Sequence, residues 1–231
     1  MPARPTVASL HTYPVKSMAG QDVPGIKLDR RGCVGDRMWA VQTVDGKIGS
    51  GKDTRRFANV PGLLLIRAEV DGESVSVVFP DGRICGIDSP DAEERLSAWL
   101  ERPLSLARED AISHFDDGAV SVLGTASVSA VEAELGAPVD LSRYRPNIVV
   151  NTDQPFIEED WISKRIGIGT ALLEVTLGSP RCVMVNSATS ALPALPGHLA
   201  AIGRVNNAKL GIVARVLEAG WIETGDGVRV L

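Results

Sequence analysis

The 231-residue chain is short of the residue types on which several function classes depend. Only three cysteines occur, Cys33, Cys85 and Cys182, odd in number and far apart. That fits a reducing cytoplasm, and it leaves neither a disulfide framework nor an iron–sulfur cluster held by four thiolates. The three histidines, His11, His114 and His198, are not spaced with another His, Cys or carboxylate as a zinc site requires. Positive charge is in deficit, with 24 Lys+Arg against 29 Asp+Glu and a net charge of -5. A nucleic-acid binder needs a basic face, so that class is set aside. No apolar run approaches the roughly 20 residues of a membrane span, so no membrane association is expected. The N-terminus lacks the charged, apolar, small-residue order of an export signal, and the expectation is a cytoplasmic protein. No G-x-S-x-G elbow occurs, nor a G-x-G-x-x-G after a strand, which lowers hydrolase and dinucleotide readings.

What is present is the balance of a globular protein, 44% hydrophobic and 23% charged. The 23 Gly and 14 Pro punctuate the chain densely. Asp45-Gly46, Asp71-Gly72, Asp81-Gly82 and Asp117-Gly118 are turn signals. Short apolar and β-branched runs lie between them and read as strands: Leu63–Ile66, Val75–Phe79, Ile148–Val150 and Leu172–Val175. Two stretches have helical spacing instead. One runs to Glu101 with Ser89 as N-cap and Pro90 at the first helical position. The other runs from Thr125 to Leu135, with Val128, Val131 and Leu135 on one face and Gly136 as C-cap. The expected fold is mainly β with a few helices (α+β), in two β-rich units spanning 1–106 and 107–231.

The segment Gly46-Lys47-Ile48-Gly49-Ser50-Gly51-Lys52 fits the opening of a phosphate loop, but Asp53 stands where a magnesium-binding Ser or Thr is needed. Pro61 would also break the helix that must follow. A glycine hairpin loop is the favoured reading. Its Lys47, Lys52, Arg55 and Arg56 can still attract an anion.

Cys182 is the thiol with a distinctive setting. It follows an apolar strand and the chain-turning Gly178-Ser179-Pro180, with Arg181 beside it. Arg181 supplies positive charge, and a thiolate is the form that binds metals. A structural cysteine beside a surface arginine explains the same residues, and composition alone favours it. Cys33 and Cys85, each next to glycine, read as structural. Basic residues also stand near apolar runs: Lys16 in Tyr13-Pro14-Val15-Lys16-Ser17, Arg37 in Gly35-Asp36-Arg37-Met38-Trp39, and Arg143 and Arg145 before Pro146-Asn147-Ile148. Converging, they would suit a phosphorylated ligand; singly, each is more often a surface ion-pair partner.

In order and spacing these stretches resemble the MOSC family, named for the C-terminal domain of molybdenum cofactor sulfurases, and within it the amidoxime-reducing branch. The resemblance covers nearly the whole chain. Residues from Ser9 to about Leu104 resemble the family's N-terminal β-barrel domain. Those from about Asp116 resemble the MOSC β-barrel domain, marked by Arg143–Val150, Glu159-Asp160-Trp161, Ile168-Gly169, Pro180-Arg181-Cys182 and Gly225-Asp226. The resemblance implies a molybdenum cofactor of the molybdopterin type, with Cys182 as metal ligand and catalytic residue. It further implies cofactor binding by Lys16, Arg37, Arg145 and Asn147, and by Thr125 or Ser127 near the phosphate at a helix start. A soft thiolate suits a metal already held by sulfur.

The implied function is reduction of a small N-hydroxylated substrate with electrons from a separate donor protein. The alternative is a non-catalytic carrier or sulfur-transfer module for the same cofactor. An accidental resemblance would leave a thiol enzyme or a structural domain. The chain departs from the family pattern at Met18 and Ser179, where cysteines are frequent, and through Val183–Gly203, rich in Ala, Leu and Pro. Within that segment, Ser187 to His198 is expected to be an exposed rim for the electron donor.

Overall fold

The computed structural model describes residues 4–231. Strands dominate it, with three α-helices among the described residues: α1 (Ala92–Trp99), α2 (Thr125–Leu135) and α3 (His198–Asn206). The largest sheet has eight strands. In chain order these are β1 (Thr6–Thr12), β2 (Gln21–Val23), β3 (Val120–Gly124), β4 (Ile148–Asn151), β5 (Arg165–Ile168), β6 (Ala171–Pro180), β7 (Lys209–Glu218) and β8 (Val228–Val230). Across the sheet they lie in the order β8-β5-β6-β7-β3-β4-β1-β2, and the sheet curls as a half-barrel.

Period-two alternation decides which way each strand faces. On β6, Ala171, Leu173 and Val175 are buried while Leu172 and Glu174 are less so. Val122, Ile148, Ile166, Leu173 and Ile212 share one core with Leu10 and Leu28. Truncating one of these, such as Leu173 to Ala, would cost about 2–5 kcal/mol. Strands β3 and β4 run parallel, so their connection must cross over, and α2 provides the crossing. β1, from the start of the chain, pairs with β4 and places Leu10 opposite Ile148. A smaller sheet likewise joins Gly25–Asp29 to Gly220–Glu223. The two ends of the chain are thus woven together.

The second packed unit lies within the first half. Leu104–Arg108, Trp39–Thr43, Ile48–Ser50 and Phe57–Asn59 form one sheet in that order. Arg67–Asp71, Ser74–Val78 and Ile84–Gly86 form another. Val41, Val60, Ile66, Val77 and Leu96 of α1 fill its core.

Local expectations fare unevenly. Asp45-Gly46, Asp71-Gly72 and Asp81-Gly82 turn hairpins, each with its glycine at positive φ (76°, 60° and 85°). Asp117-Gly118 does not; it leads into β3. Gly136 ends α2 in the left-handed conformation, as a C-cap glycine should. Leu63–Leu65 is a 3₁₀ turn rather than a strand, entered through Gly62 at φ 86°. Helix α1 starts later than read: Asp91 is its N-cap residue, and the Ser89 hydroxyl is spent on the Asp91 carboxylate. The phosphate-loop look-alike is strand, loop and strand, with Ile48–Ser50 parallel to Phe57–Asn59 and no helix. No helix among the described residues is long and apolar enough to cross a membrane.

Candidate functional site

A cavity of about 290 Å³ opens between the two units, over the sheet face on which Ser121 of β3 and Val213 of β7 stand opposite each other. Lys16, Arg37, Arg145, Asn147 and Cys182 all line it. Six cationic residues line the cavity (these first three with Lys52, Arg143 and Arg181) against two acidic ones, Asp116 and Asp117. The chain as a whole carries -5. Such local inversion of charge draws anions in.

The backbone around the cavity is held in uncommon conformations. Ser17, Arg37 and Arg145 have φ of 63°, 52° and 54°, the left-handed region that non-glycine residues rarely enter. Hydrogen bonds hold the chain there. Tyr13 N–H donates to Asp36 Oδ1 at 2.7 Å, and Arg37 N–H donates to the Tyr13 carbonyl at 2.7 Å. Lys16 N–H donates to the Trp39 carbonyl at 2.7 Å. Strain of this kind persists only where surrounding contacts over-determine it, and it gathers at functional sites.

Most of the positive charge is committed. The Arg37 guanidinium donates to buried Asp36 and, at 3.4 Å, to the Arg145 carbonyl. Arg143 donates to the carbonyls of Ser187 at 2.9 Å and Pro193 at 2.5 Å. Arg181 clamps the carbonyls of Leu210 and Tyr144, which fixes the chain immediately before Cys182. Arg145 lies 4.3 Å from the Tyr13 ring centroid, and Arg37 lies 5.0 Å from it. One Arg145 nitrogen donates to the Met18 carbonyl, while the other, Nη2, is buried without a partner. Burial and the Arg37 charge pull the Arg145 guanidinium down to about 10. An anion in the cavity would relieve both the unmet donor and the like-charge repulsion.

Two lysines share one carboxylate. Lys16 Nζ lies 2.5 Å from Asp116 Oδ2, and Lys52 Nζ lies 3.0 Å from Oδ1. Lys16 is 1% exposed, and burial draws its ammonium down to about 8 against the pull of Asp116. Burial would raise the Asp116 carboxyl, but Lys16 and Lys52 prevail and hold it at about 2. Lys52 is the one residue of the phosphate-loop look-alike that the cavity takes up.

Cys182 differs from the other thiols. Cys33 and Cys85 are buried, and burial pushes both thiols up. Cys182 is half-buried beside the cavity, just after β6. No group of three or more His, Cys, Asp or Glu able to hold a metal ion exists among the described residues. The protein therefore offers a metal one thiolate here, and a metal bound at Cys182 must bring most of its ligands with it.

Other residues singled out in the sequence do different work. Asn147 lines the cavity, yet its side chain serves the sheet: Oδ1 accepts from Ser121 N–H at 3.1 Å and from Ser121 Oγ at 3.0 Å. Thr125 and Ser127 do not line the cavity. Thr125 Oγ1 accepts from Thr152 N–H at 3.1 Å. The Ser127 hydroxyl donates to Glu158 Oε2 at 2.9 Å, and Gly124 N–H donates to Oε1 at 3.1 Å. The helix start read as a phosphate position already holds a carboxylate of the chain itself. Ser187 to His198 is mixed rather than a uniform rim. Ser190, Ala191 and Pro193 are exposed, but His198 is buried and its Nε2 lies 2.7 Å from the Tyr144 hydroxyl.

Asp116 was missed as a site residue. Its partner Lys16 lies 100 positions away, and Asp116-Asp117-Gly118 reads locally as a turn. The basic flank around Lys52 was the one available signal, because an unmatched lysine among glycines seeks an anion.

Two family models cover the chain. One, described as the MOSC domain, matches residues 109–229, and the other, the MOSC N-terminal beta barrel domain, matches residues 4–122. A molybdenum cofactor sulfurase of Oryza sativa subsp. japonica is 24% identical, over 77% of this chain and 28% of that protein. A mitochondrial amidoxime reducing component 2 of Bos taurus is 25% identical, over 78% of this chain and 65% of that protein. The chain thus matches less than two thirds of either relative's length. Among solved structures, the YUAD protein from Bacillus subtilis is 14% identical with a TM-score of 0.55, covering 100% of this chain and 97% of that one. That is a likeness of fold alone.

Proposed function

The chain belongs to the MOSC domain family, and on that premise we propose that its cavity binds a molybdenum cofactor of the molybdopterin type and supports reduction of N-hydroxylated compounds. The observation that carries the reading is the pairing of the half-buried Cys182 with a cationic cavity in which Arg145 Nη2 is a buried donor without a partner. The donor set fits the group. One thiolate suits a metal whose remaining ligands are sulfur and oxygen, and an unmet guanidinium nitrogen suits a phosphate.

In this reading Cys182 ligates the metal, and Arg181 orients it by clamping the chain to Leu210 and Tyr144. Arg145 and Lys16 bind the anionic end of the cofactor, with Arg37 holding the Arg145 backbone in its left-handed conformation. Asn147 acts through Ser121, keeping the floor of the cavity in register. When bound, the cofactor supplies a two-electron centre that takes the oxygen of an N–OH group as water. The chain has no flavin or dinucleotide fingerprint, so a separate protein is the proposed electron donor. The substrate is a small molecule.

The name of the Oryza sativa relative, a molybdenum cofactor sulfurase, favours a second reading, in which the cavity carries the cofactor without reducing a substrate. Purified protein is expected to contain molybdenum and pterin. It should reduce an amidoxime with an artificial one-electron donor and remain inactive with NADH or NADPH alone. Full loading without turnover would favour the carrier reading, and absence of both metal and pterin after expression in a cofactor-replete host would sink both.

A further inference from the structure

We infer that Lys52 is a specificity-determining residue whose ammonium, at the mouth of the cavity beside Cys182, takes an acidic group of the substrate. The inference rests on the reading that the reaction occurs at Cys182. Two independent contacts place Lys52 there. Its loop is seated on Met184, two residues after Cys182: Ser50 Oγ lies 3.8 Å from Met184 Sδ. Gly51 faces the same side chain, and a Cβ at Gly51 would stand 2.7 Å from Met184 Cγ. Glycine is what lets the loop approach that closely. From the other side, Asp116 anchors the Lys52 ammonium at 3.0 Å.

Donor accounting leaves Lys52 as the group free to act. Arg37, Arg143 and Arg181 are spent on Asp36 and on backbone carbonyls, and Arg145 is assigned to the anionic end of the cofactor. Lys16 is almost fully buried, whereas the Lys52 side chain is 29% exposed. An ammonium has three N–H donors, and Asp116 takes one of them. Asp116 is itself 37% exposed, so Oδ1 can give up Lys52 to a substrate carboxylate and turn to water while Oδ2 keeps the buried Lys16. Lysine and carboxylate together then act as a displaceable pair. A neutral substrate leaves the pair closed, whereas an acidic one replaces Asp116 on Lys52. Asp116 also holds down the affinity of the site for stray anions.

The test uses molybdenum-loaded protein and two probes, benzamidoxime and its 4-carboxylate, with binding constants from calorimetry. Wild type is expected to bind the acidic probe at least about tenfold more tightly than the neutral one. Lys52→Gln should lose that preference, Lys52→Arg should retain most of it, and Asp116→Asn should widen it about threefold or more. Absence of preference in wild type, or its persistence in Lys52→Gln, overturns the inference. Turnover is followed separately with an artificial donor. If neither probe is turned over, the reductase reading fails while the ratio of binding constants still judges Lys52.

Discussion

Two places in this fold attract negative charge, and the chain has put a carboxylate of its own in each. At the start of α2, Glu158 takes hydrogen bonds from Gly124 N–H and the Ser127 hydroxyl and is 0% exposed. In the cavity, Asp116 takes Lys16 and Lys52, and its side chain is 37% exposed. The chemistry of attraction is similar, a carboxylate meeting donors. Exposure is what differs. Glu158 has no water to turn to, so its place is permanent and the helix start is structural. Asp116 borders solvent, so its place is exchangeable. Of two sites that sequence alone ranks as equals, only the one with an escape route for its resident anion can serve a ligand.

The largest effect should fall on cofactor content. Cys182→Ser is expected to retain less than about a tenth of wild-type molybdenum, because a hydroxyl is a harder and far less acidic ligand than a thiol. Ser127→Ala at the helix start, and Cys33→Ser in the core, should keep the metal. Metal analysis of the three purified variants, with circular dichroism to verify folding, checks this. Full molybdenum in Cys182→Ser, or its loss in Ser127→Ala, would reverse the assignment of the two places.

Stability should rank the places the other way. Glu158→Ala removes a buried acceptor and strands Gly124 N–H and the Ser127 hydroxyl, at a cost of about 3 kcal/mol in urea unfolding. Asp116→Asn leaves an amide oxygen for the lysines but removes the charge that pairs the buried Lys16, and with Asp116 itself bordering solvent should cost about 2 kcal/mol. A larger loss for Asp116→Asn than for Glu158→Ala would mean that the cavity carboxylate is the structural one.

The contrast also shows what was legible in the sequence. The hairpins at Asp45-Gly46, Asp71-Gly72 and Asp81-Gly82, and helix α2 with its Gly136 cap, follow from local turn chemistry and helical spacing, which a single stretch of chain carries in full. Lys16, Arg37, Arg145 and Cys182, singled out in short contiguous motifs, line one cavity. Glu158 and Asp116 were not legible. Each finds its partners across the fold, 34 residues away for Gly124 and 100 for Lys16. No period of 2 or 3.6 encodes such pairings. Thr125 and Ser127 lie outside the cavity and bond within the chain, which was not legible for the same reason: a helix start signals an anion, but not whose. Leu63–Ile66 looked like a strand because an apolar run of four has too few residues to show a period. His198 looked like part of an exposed rim because the proline- and alanine-rich run before it conceals the start of α3.

The smallest expected effect, and the sharpest test of the contrast, is in the pH dependence of stability. The folded Asp116 carboxyl sits at about 2, below its ordinary value of 3.8. The folded state therefore releases this proton more readily than the unfolded state. Its contribution is complete above about pH 4 and is lost as pH falls from there toward 2. Burial holds the Glu158 carboxyl above its ordinary 4.5, so the sign is opposite. The folded state binds that proton more tightly, and the contribution is complete below about pH 4.5 and declines as pH rises through the folded value. His198, drawn down to about 4 by burial and by Arg143, also destabilises the fold as pH falls from 6.5. That effect is common to wild type and variants and cancels in their difference. On acidification from pH 7 to 4.5, the stability gap between wild type and Glu158→Gln should widen in favour of wild type; the gap to Asp116→Asn, read below pH 4 where Lys16 is charged in every protein, should instead close as pH falls. Urea unfolding midpoints of the three proteins at half-unit steps of pH read the two slopes directly. Slopes of the same sign would mean that the two carboxylates occupy equivalent environments, and the distinction between a permanent and an exchangeable anion would fall.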